Sequence, residues 1–196
     1  PERFIKRTEI FQNLAVEMGH ESELTDINVF FGNDHEAPDP LGKQSKNKYG
    51  ALQTSCLYCA ECDVGCNTHS KNTTDLNYLF AAEERYGLDI RTEHIATSIV
   101  PLNEDGSDGY RINFTNLSPT DSEEPTEHAV TARRVIVAAG AIGSTEFLLR
   151  ARDRDETLPR ISKHLGNHFS ANGDFLTVAI NSLKYDDTEP NRGPVI

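Results

Sequence analysis

Apolar and polar residues change period along this chain, and each change marks an element. Phe4, Ile5, Ile10, Phe11, Leu14, Ala15 and Met18 recur at helical spacing, and Gly19 follows where a left-handed residue closes a helix. Ile27, Val29 and Phe31 alternate with Asn28 and Phe30, the two-residue period of a short strand. From Gly32 to Lys48 apolar residues almost vanish among Asn33, Asp34, Pro38, Asp39, Pro40 and Gly42. That composition predicts a loop, either loose or folded over a site. Leu76, Tyr78, Leu79, Ala82 and Tyr86 restore the helical period, with Thr73 or Thr74 to cap the helix, Asp75 in its first turn and Gly87 to stop it.

Leu88 to Pro101 reads as a strand pair or one bent strand. Ile90, Thr92 and His94 share one parity and Ile95, Thr97 and Ile99 the other, so a bulge is expected near His94–Ile95. Asp105-Gly-Ser-Asp-Gly109 is a turn, and Tyr110 to Thr115 is the returning strand of a hairpin. An acidic connection, Thr120 to Glu127, leads through His128–Thr131 to Val135-Ile136-Val137, a β-branched run expected as a strand buried on both faces. Ala138, Ala139, Gly140, Ala141 and Gly143 then allow a tight turn, and Phe147, Leu148 and Ala151 fall at helical spacing behind a Ser144 or Thr145 cap. The strand–turn–helix unit is the organising stretch of the chain. Its small residues let a ligand approach the backbone, and its helix N-terminus presents N–H groups to negative charge. Gly140 and Gly143 serving only close strand–helix packing is the alternative. Further on, Leu158–Gly166 reads as a loop or short helical turn, Asp174–Ile180 as a strand, and Asp186–Pro194 as polar turn-formers.

The 196 residues hold one large domain or parts of two, and 37% hydrophobic content is low for a compact domain. A net charge of −12 argues against nucleic acid, whose phosphates demand a basic footprint. No run of about 18 apolar residues is present to span a membrane. The opening Pro-Glu-Arg-Phe-Ile-Lys-Arg lacks a signal-peptide core, so a cytoplasmic location is expected. With no initiator Met, the chain is expected to begin inside a longer product or after processing.

All four cysteines, Cys56, Cys59, Cys62 and Cys66, sit within eleven positions as C-x2-C-x2-C-x3-C. Four thiolates at this spacing can face one volume, as in a [4Fe–4S] loop, although Asn67 stands where a ferredoxin motif usually carries Pro. Zinc, local disulfides and unliganded packed thiols are the other readings of the same spacing. The histidines make no H-E-x-x-H helix, and there is no G-x-S-x-G elbow or Walker loop. His164 and His168 lie four apart, but Gly166 and Asn167 argue against a continuous helix between them. No complete catalytic constellation is present.

The order of the Cys-rich loop, Ser70-Lys-Asn-Thr-Thr-Asp-Leu-Asn-Tyr-Leu79, Ile90-Arg-Thr-Glu-His-Ile-Ala96 and Val135-Ile-Val-Ala-Ala-Gly-Ala-Ile-Gly-Ser-Thr-Glu-Phe-Leu-Leu149 resembles the glucose–methanol–choline (GMC) oxidoreductases, in the branch of cholesterol oxidase-like flavoenzymes. The resemblance covers about residues 50 to 180. It implies FAD and oxidation of an alcohol carbon by hydride transfer to the flavin, with a small-molecule alcohol, sterol or sugar as substrate. It assigns a backbone contact with the adenine to Ala96, and contacts with the ribose and pyrophosphate region to Ala139, Gly140, Ala141 and Ser144. The family's G-x-G-x-x-G turn and its C-terminal His with a His or Asn partner are not in these residues, so this segment alone is expected to be inactive.

The expected fold is α/β (mixed α+β), a partial FAD-binding domain built from the strand–turn–helix unit and an inserted β-meander, with pieces of a substrate domain. The expected division is 1–50 as a substrate-domain or lid portion, 51–157 as the partial FAD-binding domain, and 158–196 as the start of a substrate-domain sheet. Apolar edges left uncovered would favour a homo-oligomer. An iron–sulfur or zinc-binding electron-transfer or interaction module, with the α/β unit as scaffold, is the reading from another class. A globular domain that has kept the fold without the chemistry is a third.

Overall fold

The computed structural model describes residues 5–34, 36–117, 127–170, 172–173 and 192–193. The chain divides into two compact units, Pro1–Ile90 with Thr177–Ile196, and Arg91–Leu176. Helices and small antiparallel sheets make it a mixed α/β chain.

The first unit opens with α1, Lys6–Glu17, close to the predicted helix. It ends at Met18, and Gly19 takes φ +76 while its N–H donates to the Val16 carbonyl. No residue of α1 is buried, and Ile10, Phe11 and Leu14 of its apolar stripe are exposed. The strand expected at Ile27–Phe31 forms only in part. Val29 makes an isolated bridge to Lys71, and the Phe30 N–H donates to the Ser70 carbonyl at 2.7 Å. The polar stretch before Lys48 holds a strand that hydropathy does not reveal: β1, Gln44–Lys46, pairs antiparallel with β2, Leu52–Thr54.

Hydrogen bonds, rather than methyl groups, fill this unit. Asn47, Gln53, Ser55, Ser70 and Asn77 are buried beside Ala51, Cys56, Tyr58 and Cys62, with Gln53 only 1% exposed. Such groups can be buried because each finds partners. The Asn47 amide donates to Gln53 Oε1 and to the Leu76 carbonyl, both at 2.7 Å, while its oxygen accepts the N–H groups of Tyr49 and Ala51. Gln53 Nε2 in turn donates to the His69 carbonyl.

A 3-10 turn, Thr74–Leu76, precedes α2, Tyr78–Tyr86. The expected Thr cap is replaced. Thr73 makes no side-chain cap, and the buried Asn77 accepts the Tyr78 N–H instead, because the 3-10 turn delays the helix start. Gly87 closes α2 as predicted, at φ +66 with its N–H on the Glu83 carbonyl.

The second unit carries an antiparallel meander of β3, His94–Pro101, β4, Tyr110–Asn116, and β5, Glu127–Ala132, in that spatial order. The hairpin stands where it was expected. The register shift falls between Ala96 and Ser98, a little beyond the predicted position, so that two residues of β3 share one step of β4. Phe114 is buried between the rings of His94 and His128, with centroids 5.5 and 5.6 Å away.

Val135–Val137 is not a strand, and Ile136 is 90% exposed. The physical reason is pairing: among the described residues no strand lies alongside it, and an extended segment without a ladder has no face to bury. Helix α3 begins earlier than expected and spans Gly140–Leu149, running into a π-helical turn, Arg150–Arg154, that buries Ala151. Residues 158–168 are turns, consistent with His164 and His168 not sharing a helix. The strand predicted at 174–180 and most of the acidic connection lie outside the described residues.

Candidate functional site

The turn into α3 is built from residues too small to obstruct a ligand. Ala138, Ala139, Gly140 and Ala141 are all exposed. Gly140 stands at φ +75, a conformation that L side chains resist, and a Cβ built there meets nothing within 4 Å. Ser144 does not cap the helix from in front of it. It lies inside the helix and reaches back, its Oγ accepting the Ala139 N–H at 2.9 Å. Thr145 turns inward along the helix and donates to the Ala141 carbonyl at 2.6 Å. The remaining N–H groups of the first turn have no partner within the helix, as at any helix start. Ala96 is exposed at the edge of the β3 bulge, where the ladder is interrupted. An empty approach to Gly140 and an interrupted strand at Ala96 both suit a ligand that contacts backbone.

The first unit contains a cavity of about 430 Å³ that no sequence motif announces. Asn28, Asn47, Gln53 and Asn72 line it with Tyr49 and Tyr58. Asn33, Asp34 and Pro38 place the predicted loop on one wall. Asn28 Nδ2 donates to the Asn72 carbonyl at 2.8 Å, so two separate segments are fixed to each other at the rim. The signal in the sequence is the recurrence of Asn and Gln at 28, 33, 47, 53 and 72, which has no fixed spacing.

The four cysteines are unbridged. Cys56 and Cys62 are buried, Cys66 is half-buried and Cys59 is exposed. All four border one small cavity, together with Thr68, Ser70 and Lys71. The loop is tightly wound: Tyr58, Ala60 and His69 take positive φ without being glycine. Burial pushes the Cys56 thiol up against the pull of the Tyr58 N–H, and Cys62, Cys59 and Cys66 add to the rise. Burial also raises Cys66, but the Lys71 N–H, the Thr68 hydroxyl and N–H, and the Ser70 N–H outweigh it and bring it to about 7. Among the described residues no group of three or more His, Cys, Asp or Glu side chains is placed to hold a metal ion. The iron–sulfur expectation therefore gains no support from the structure.

A family profile described as GMC oxidoreductase matches residues 4–170. The chain belongs to the GMC oxidoreductases. Within this family it is 34% identical over 167 residues to a cholesterol oxidase of Acinetobacter baumannii, covering 82% of this chain and 29% of the relative. It is 31% identical over 170 residues to a cholesterol oxidase of Mycobacterium tuberculosis, covering 83% of this chain and 28% of that one. The GMC chain thus spans less than a third of the length of the curated relatives it matches. No solved structure matches it. The match places it in the cholesterol oxidase-like branch of the family, and no helix among its described residues is long and apolar enough to cross a membrane.

Proposed function

We propose that this chain supplies part of the FAD site of an oxidoreductase that oxidises the CH–OH group of an alcohol, sterol or sugar. The observation that carries the reading is the open, small-residue entrance to α3, where Gly140 has no neighbour to exclude a ligand. Gly140, Ala139 and Ala141 would lie against the ribose and pyrophosphate region, Ser144 would hold the shape of the turn through the Ala139 N–H, and the Ala96 backbone would meet the adenine. FAD, when bound, supplies the hydride acceptor. The residues named here bind and orient it; none of them moves a proton. Residues 1–50 and 158–196 are assigned to the substrate domain, and the segment alone is inactive in this reading. The cholesterol oxidase names of the relatives make a sterol the first substrate to try.

The test is flavin binding by the full-length protein and by its Gly140→Val variant. The valine methyls would occupy the open space but also oppose the φ of +75, so FAD affinity should fall at least about tenfold. Ala141→Val, which adds the same bulk beside it without that strain, should lower it as well while the far-ultraviolet dichroism is kept. A protein that carries no flavin, or a variant that retains it fully, overturns the assignment.

A further inference from the structure

The Cys-rich loop does something with Cys66 that a merely packed thiol does not require. The N–H groups of Ser70 and Lys71 both donate to Cys66 Sγ at 3.3 Å, and the Thr68 hydroxyl lies 3.5 Å from it. Such a convergence of donors favours the thiolate, the nucleophilic form of the side chain. Cys66 is also half-buried rather than sealed. Lys71 ties it to a second thiol. The backbone of Lys71 holds the Cys66 sulfur, and its Nζ donates to the Cys62 carbonyl at 3.3 Å. Cys62 and Cys66 border the same small cavity and also share an open depression of about 440 Å³. Between them Gly65 has a Cβ position with nothing within 4 Å, so the connecting turn has room to move.

We propose that Cys62 and Cys66 form a peroxide-responsive dithiol. The Cys66 thiolate attacks the outer oxygen of a hydroperoxide; the S–O bond forms as the O–O bond breaks, and the departing oxygen takes a proton to leave as water or an alcohol. Sulfur is oxidised to the sulfenic acid and the peroxide is reduced. The Cys62 thiol then attacks that sulfur; the S–S bond forms, the S–O bond breaks, and the hydroxide leaves as water with the Cys62 proton. Cys56 and Cys59 do not border the open depression that Cys62 and Cys66 share, and they stay out of the exchange. None of this depends on the flavin.

The experiment exposes the full-length protein to hydrogen peroxide and reads intact mass and thiol-by-thiol alkylation. The wild type should lose two hydrogens and two alkylatable thiols, mapped to Cys62 and Cys66, and regain both with dithiothreitol. Cys62→Ser should stop with one added oxygen that dimedone traps at Cys66. Before oxidation, Cys66 should alkylate roughly tenfold faster at neutral pH than it does in the unfolded chain, following its larger thiolate fraction. Reaction at Cys59 ahead of Cys66, a bridge between other cysteines, or near-stoichiometric iron or zinc held by the thiols as isolated would each overturn the proposal. The wild-type alkylation pattern decides even if a variant fails to fold.

Discussion

Asn47 and Gln53 are joined inside the first unit by a hydrogen bond of 2.7 Å between two buried amides. The pair anchors the β1–β2 turn, because the same Asn47 side chain accepts the Tyr49 and Ala51 N–H groups and reaches the Leu76 carbonyl just ahead of α2. One side chain thus satisfies groups on three segments. Asn47→Ala would leave the Gln53 oxygen and the freed backbone groups unpaired, and should cost about 2–4 kcal/mol in urea unfolding. Asn33→Ala, which removes an exposed bond to the Lys46 carbonyl, should cost less than about 1 kcal/mol. Equal midpoints for the two variants would contradict the buried network.

The two hydroxyls in α3 should separate cleanly. Ser144→Ala strands the Ala139 N–H and is expected to cost about 1 kcal/mol, the size of a lost helix cap. Thr145→Ala removes only a bond back to a carbonyl of the helix itself and should be near neutral. Thermal unfolding of both variants beside the wild type checks the order.

Gly109 stands at φ +103, and a Cβ there would sit 2.5 Å from the Ala132 carbonyl oxygen and 2.9 Å from Arg133 Cα. Both contacts are backbone and cannot swing away. Gly109→Ala should destabilise the meander by about 2 kcal/mol or more, read as a lowered melting temperature. A melting temperature equal to wild type would mean that β4 and β5 do not close on each other this way.

Cys66 gives a pH dependence with a defined sign. Its folded value, about 7, lies below the ordinary thiol value of 9.0, so folding favours the thiolate. The stabilisation is complete above the unfolded value and is lost as pH falls through the folded one. The advantage of wild type over Cys66→Ser should therefore grow with pH between about 7 and 9 and stay flat below. Urea midpoints for the pair across that range measure it, and an advantage that shrinks with rising pH would refute the hydrogen-bond assignment.

Local pattern was legible wherever it decided the structure. The stripe of α1 with Gly19, the stop at Gly87 and the Tyr110 hairpin follow from spacing and turn chemistry alone. Two kinds of feature were not legible. Val135–Val137 has the composition of a buried strand, but burial is a relation between strands, and here nothing pairs with it among the described residues. The cavity lined by Asn28, Asn47 and Gln53 was hidden for the opposite reason. Burial there is secured by hydrogen-bond partners, and hydropathy reads an asparagine the same way whether or not its partners exist. At the cysteines, spacing brought four thiols to one cavity, but it did not reveal that two backbone N–H groups would single out Cys66.

The amide-rich interior of the first unit also shapes how its stability responds to temperature. Exposing apolar surface raises the heat capacity of unfolding, whereas exposing polar surface lowers it. A unit whose largest fully buried side chains, among the described residues, are Gln53, Ser55 and Ser70 should therefore unfold with a smaller heat-capacity increment per residue than a leucine-filled unit of equal size. Its free-energy curve would be flatter, with a broad maximum and a shallow decline on cooling.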